Sequence, residues 1–175
     1  MIVKRSLVVM LLVAALVLVG AGAAFAVVRI NVWYPQGVGG AKLGILDYGY
    51  KGLTWWFGRP TAKGVDRDYP GQTVYYYVFG RKLANGKYPL EVNSNKYHRV
   101  FAFTCNTSNY DTAKGVHVGV TESFLKKQYG SALRRYPTRV YTRYALGGRS
   151  GTDFYCRYVS RAVGYRVVQI IVRSY

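Results

Sequence analysis

The first 26 residues constrain the rest of the chain most. Lys4 and Arg5 precede an unbroken apolar run from Leu7 to Val19, and small residues then lead to Ala24-Phe25-Ala26. A basic start, an apolar stretch and an A-x-A signal together mark a secretory leader cleaved after Ala26. The alternative is an uncleaved anchor, because residues 7–28 are long enough to span a bilayer. No cysteine stands directly after the apolar run, which argues against a lipid-anchored lipoprotein. The expected product is a secreted chain, residues 27–175, that folds outside the reducing cytosol.

That length suits one domain or two small repeats. All 18 tyrosines and all three tryptophans fall after the leader, so the chain has the material for a packed core. The formal charge is +18, two less once Lys4 and Arg5 leave with the leader. Such a basic surface favours polyanions through counterion release. Outside a cell these include wall polymers, anionic headgroups and DNA. Two cysteines remain, Cys105 and Cys156. In an exported chain an even pair reads as a disulfide, with two buried thiols as the alternative. His98 and His117 show no metal-ligand spacing with them, so neither a metal nor another cofactor is expected.

Residues 28–34 alternate as an extended lead-in, and residues 35–40 form a Gly-rich linker. A pattern then runs twice, more clearly the second time. Val116-His117-Val118-Gly119 is extended, and Thr121 is a good N-cap with Glu122 in the first turn. Phe124, Leu125 and Tyr129 give an apolar face, and Gly130 stops the helix. Strand-like runs follow at 139–145, 152–158 and 165–173. In the first copy, Asp47 is the expected N-cap of a helix carrying Leu53, Trp56 and Phe57, ended by Gly58 and Pro60. Gly49 and Gly52 weaken that helix by about 1 kcal/mol each relative to alanine. Strand-like runs follow at 73–79, 88–92 and 97–104, with Asn85-Gly86 as a hairpin signal. The expected division is a leader (1–26), an N-terminal strand and linker (27–40) and two units (41–105 and 106–175). The expected class is α+β, with short helices on one face of an antiparallel sheet and three strands per unit. The alternative is one irregular α+β domain.

Val118-Gly119-Val120-Thr121 through Tyr129-Gly130 forms a motif of apolar-G-x-T, short helix and aromatic-Gly. Leu43-Gly44 through Phe57-Gly58-Arg59-Pro60 repeats it without the threonine, and Tyr75-Tyr76-Tyr77-Val78-Phe79-Gly80 adds an aromatic run. Together these resemble the beta-lactamase inhibitory protein family and the related small outer-membrane lipoproteins of the barrel-assembly machinery. The resemblance spans about residues 41–173. It implies a helix-turn-helix packed on an antiparallel sheet, present twice in tandem. The family's disulfides lie within each repeat, which Cys105 and Cys156 do not reproduce, and no inhibitory residue carries over.

No nucleophile-base set is visible: no serine sits in G-x-S-x-G, and neither histidine has an identifiable orienting partner. The chain reads as non-catalytic. Asp66 and Asp68 are the only close carboxylate pair and read as a solvated loop, while residues 147–151 read as a hairpin loop. Dense tyrosines interleaved with arginines are the suggestive feature, since stacking and cationic contacts suit binding. Alternation places Arg139, Tyr141 and Arg143 on one face of their strand and Val140, Thr142 and Tyr144 on the other. Tyr75 and Tyr77 share a face of theirs, with Val74, Tyr76 and Val78 opposite. Tyr75, Tyr77, Arg139, Tyr141 and Arg143 are therefore expected on an open sheet face as the ligand-binding candidates. The expected partner is an extracellular protein or a polyanion, and a membrane only through an uncleaved leader. The alternative function is a structural envelope protein adhering to anionic wall polymer, lipid or nucleic acid.

Overall fold

The computed structural model describes residues 30–33, 37–38, 41–66, 71–148 and 150–174. The leader, residues 27–29, 34–36 and 39–40 of the expected strand and linker, and Asp68 lie outside the described residues. Strands β1 (Ile30–Trp33), β2 (Gly37–Val38) and β3 (Ala41–Lys42) come first. Helix α1 (Lys51–Phe57) precedes β4 (Ala62–Asp66), β5 (Val74–Phe79), β6 (Leu90–Ser94) and β7 (Val100–Cys105). After β8 (Tyr110–Thr112), helix α2 (Glu122–Tyr129) and a single 3-10 turn precede β9 (Leu133–Pro137), β10 (Thr142–Gly147), β11 (Gly151–Ser160) and β12 (Gly164–Arg173). The class is α+β and the sheet is mostly antiparallel.

Eight strands form one sheet in the order β4-β5-β6-β7-β12-β11-β10-β9. Each four-strand run is a meander, and the two meet where β7 lies antiparallel to β12, pairing Cys105 with Ile170 and Phe103 with Val172. β4 and β9 are the edges. A small sheet, β3-β2-β1-β8, closes with a parallel β1–β8 pair.

Both helices lie on the same face. Cross-strand partners point to the same side of a sheet, and one row crosses this sheet as Phe79, Leu90, Cys105, Ile170, Phe154 and Tyr144. Phe57 of α1 packs on Phe79 at 5.3 Å between centroids, and Tyr129 of α2 packs on Phe154 at 5.5 Å. Leu53 and Leu125 are the fully buried residues of their helices, and Val38, Ala41 and Tyr110 of the small sheet join the same core. Thr121 caps α2 as its sequence suggests, its hydroxyl accepting from the Phe124 N–H at 3.0 Å. Gly130 ends the helix at φ 50°, in the left-handed region that glycine tolerates.

Several expectations are corrected. Each helix is followed by four strands, not three; β4 and β9 are the additions. Asp47 does not cap α1. The cap is Tyr50, without a side-chain bond, and Asp47 is buried three residues earlier. Gly52 is a packing requirement and not merely a weak helix former: a Cβ there would lie 2.1 Å from the Leu46 carbonyl oxygen. The Cys105–Cys156 bridge is not formed, and both thiols are free and buried. Cys105 pairs across to Ile170 and Cys156 to Val167, so β12 runs between them. Two strand spacings are roughly 9–10 Å, beyond the Cα separation of about 7 Å that a disulfide spans.

Candidate functional site

The face away from the helices carries the tyrosine–arginine cluster. One row crosses it as Tyr136 on β9, Arg143 on β10, Tyr155 on β11 and Gln169 on β12. The next row includes Arg134, Ala145, Asp153 and Ile171, and Arg173 lies in the row beyond. Asp153 organises the cluster. It is 2% exposed and accepts from Arg173 at 2.7 Å (Nε) and 3.3 Å (Nη2). Arg143 Nη1 stands 3.9 Å from the same carboxylate. The Arg143 guanidinium also lies over the Tyr136 ring at 4.4 Å, and Tyr141 meets Tyr155 edge to face at 5.0 Å. Burial, then the Asp153 charge, raises the Tyr155 phenol above its usual range, so it stays a neutral hydrogen-bonding group. Two arginines share one buried carboxylate, which leaves net positive charge beside three aromatic rings. An anionic group flanked by apolar surface is what such a patch holds.

Of the expected binding residues, Tyr141 and Arg143 lie in this cluster. Arg139 is exposed in the turn between β9 and β10, where Thr138 N–H bonds the Tyr141 carbonyl at 2.8 Å. Val140, expected inward, is exposed in the same turn. Tyr75 and Tyr77 are corrected: both point to the covered face. Tyr77 is 3% exposed opposite Val92, and Tyr75 packs against the core opposite Ser94. The run Val74–Phe79 is apolar on both faces, so alternation separates two sets of side chains without saying which is covered. Burial, then the Asp47 carboxylate, pushes the Tyr77 phenol well up. The expectation missed Tyr136, Tyr155, Asp153 and Arg173, which only the pairing of β9 through β12 brings together.

A second constellation sits under the sheet. Asp47 is fully buried, and its Oδ1 accepts from His98 Nδ1–H at 2.9 Å and from the Gly49 N–H at 2.7 Å. The His98 ring stacks on Tyr75 at 4.4 Å between centroids. Lys63 lies over the Tyr50 ring, and an opening of about 280 Å³ is lined by Lys63, Val65, Tyr75, Tyr77 and His98 with two glycines. The non-glycine residues at positive φ among the described residues, Tyr48, Tyr50 and His98, all gather here. The orienting partner that sequence could not identify for His98 is thus Asp47, fifty-one residues away. Backbone bonds run alongside, from Asp47 N–H to the His98 carbonyl at 2.9 Å and from Val100 N–H to the Ile45 carbonyl at 3.0 Å. The pair therefore ties residues 44–47 to the β6–β7 hairpin, and the local strain is held by this doubled connection.

No family model matches the sequence, and no curated protein matches it. Among solved structures the chain is similar to the uncharacterized protein yfeY from Escherichia coli. The two are 13% identical over 64% of this chain and 80% of that chain, with a TM-score of 0.47.

Proposed function

We propose that the chain is an exported, basic, non-catalytic binding module that takes an acidic protein partner on the uncovered face of its sheet. The observation that carries this reading is Asp153 holding Arg173 while Arg143 lies between that carboxylate and the Tyr136 ring. The arginine is positioned before any ligand arrives, which lowers the ordering cost of binding. Tyrosine and arginine are also the residue types that most often dominate interfaces. Export rests on the leader, and mass spectrometry of protein recovered from the medium should find Val27 first. Intact Met1 recovered only from membranes would favour the anchored form.

The test is a pull-down from the native extracytoplasmic milieu at low and high salt, with Tyr141→Ala/Arg143→Ala alongside. A discrete protein retained at high salt and lost with the double variant is the expected outcome. Capture of wall polymer or nucleic acid alone, falling steeply with salt, would replace this reading with polyanion adhesion. In that case each lost arginine contact should shrink the log–log salt slope by about 1.

Within this reading, residues 41–105 and 106–175 are tandem copies resembling the beta-lactamase inhibitory family. A helix ending on Phe57-Gly58 or Tyr129-Gly130 and followed by a four-strand meander supports the duplication. Nuclear Overhauser contacts should join Phe57 to Phe79 and Tyr129 to Phe154, and the absence of either set would count against equivalent halves.

A further inference from the structure

The hairpin of β11 and β12 is longer than the sheet that holds it. β10 stops pairing with β11 at Cys156, and β7 pairs with β12 only from Ile170 onward. Residues 119–121 continue the β12 edge as far as Arg166, through Gly119 N–H to the Val167 carbonyl at 2.7 Å and a bridge from Thr121 to Arg166. Residues 158–165 project past all three neighbours. Tyr158, Val159, Val163 and Tyr165 in this tip are each between 39% and 52% exposed. Tyr158 and Tyr165 are cross-strand partners, meeting edge to face at 5.4 Å.

The charges are as unusual as the apolar surface. Arg157 and Arg166 are directly opposite one another, and Arg161 sits in the turn. Like charges facing each other across strands are destabilising, and residues 154–175 contain no Asp or Glu to offset them. Arg166 is held by carbonyl oxygens of Gly119 and Val163, so it does not turn away. A projecting tip that pairs exposed apolar side chains with uncompensated arginines is complementary to one kind of surface, apolar beneath and anionic above.

We infer that this hairpin tip is a contact element for an anionic lipid bilayer. Val163 in the turn and Val159 beside it flank Arg161, and the tyrosine pair sits behind them at the depth where aromatic rings favour the interface. The arginines reach the phosphates and keep their stems along the apolar region. Nucleic acid fits less well: the two rings are turned edge-on to each other, and the valines gain nothing from bases. The surface is separate from the open-face cluster, so either proposal can fail alone.

The full chain carrying Val159→Cys, labelled with an environment-sensitive fluorophore, tests it. Native Cys105 and Cys156 are buried and leave the label at the tip. On vesicles of phosphatidylcholine with phosphatidylglycerol the emission should shift to the blue, and high salt should reverse the shift. On pure phosphatidylcholine it should stay at its aqueous value, even for a chain held there by its N-terminal apolar run. A label at Asn85→Cys, on an exposed turn of the other meander, should not shift. Arg157→Gln/Arg161→Gln should weaken the vesicle response about thirtyfold, at about fivefold per arginine. An unshifted tip label on anionic vesicles, an equal shift at Asn85→Cys, or a shift indifferent to the arginine changes would overturn the inference. So would a shift produced by single-stranded DNA and not by vesicles.

Discussion

Cys105 and Cys156 flank β12 without meeting, and the core excludes water from both. Burial pushes the Cys156 thiol up to about 12 and holds the Cys105 thiol higher still. The unfolded chain releases those protons near pH 8.5. Between that value and the folded values the unfolded state binds fewer protons, so stability falls as pH rises. The thiols' contribution is intact below about pH 8.5, and melting temperature should decline steadily above it. Buried Tyr77 and Tyr110 push the same way at higher pH. A melting temperature flat from pH 8 to 11 would contradict this. Alkylation offers a direct check: two thiols should react in denaturant and neither in the native protein. A single linked peptide pair under non-reducing conditions would restore the bridge that export suggests.

α2 shows what a local sequence can specify. Its cap, its buried leucine and its terminal glycine are all within ten residues, and each acts through its own backbone. Thr121→Ala should cost about 1 kcal/mol through the lost bond to Phe124 N–H. Leu125→Ala should cost about 2–5 kcal/mol because the site is fully buried. Equal small losses at both positions in chemical denaturation would show that α2 does not cover the core as described. β4 and β9 were not legible for the opposite reason. Lys63-Gly64 and Arg134-Arg135 give an edge strand no apolar alternation, and pairing to β5 or β10 is what makes them strands. Gly64 fits because the Tyr76 ring lies over it, where a Cβ would come within 2.8 Å. The same limit misplaced Tyr75 and Tyr77, whose buried face depends on where α1 and Asp47 lie. Tyr141 meets Tyr155 and Arg143 stands beside Asp153, and these partners come from a strand whose register the sequence does not state.

At the scale of the molecule, the pairing of β7 with β12 turns two meanders into one sheet with one continuous core. It joins residues 65 to 71 positions apart, the kind of non-local contact that slows folding. Ile170 is fully buried at this seam, and Ile170→Ala should cost about 2–5 kcal/mol. Calorimetry of the variant should still show a single transition at lower temperature. Two separated transitions would mean that the halves fold independently. Because the meanders meet through their last strands, the sheet's outer boundaries are both first strands, β4 and β9. β9 carries Arg134 and Arg135 and ends at Pro137, almost wholly exposed. A second molecule approaching β9 to β9 would bring guanidinium groups against guanidinium groups, and the proline offers no N–H to a newcomer. The joint that makes the sheet wide thus also leaves a rim that resists growth into fibres.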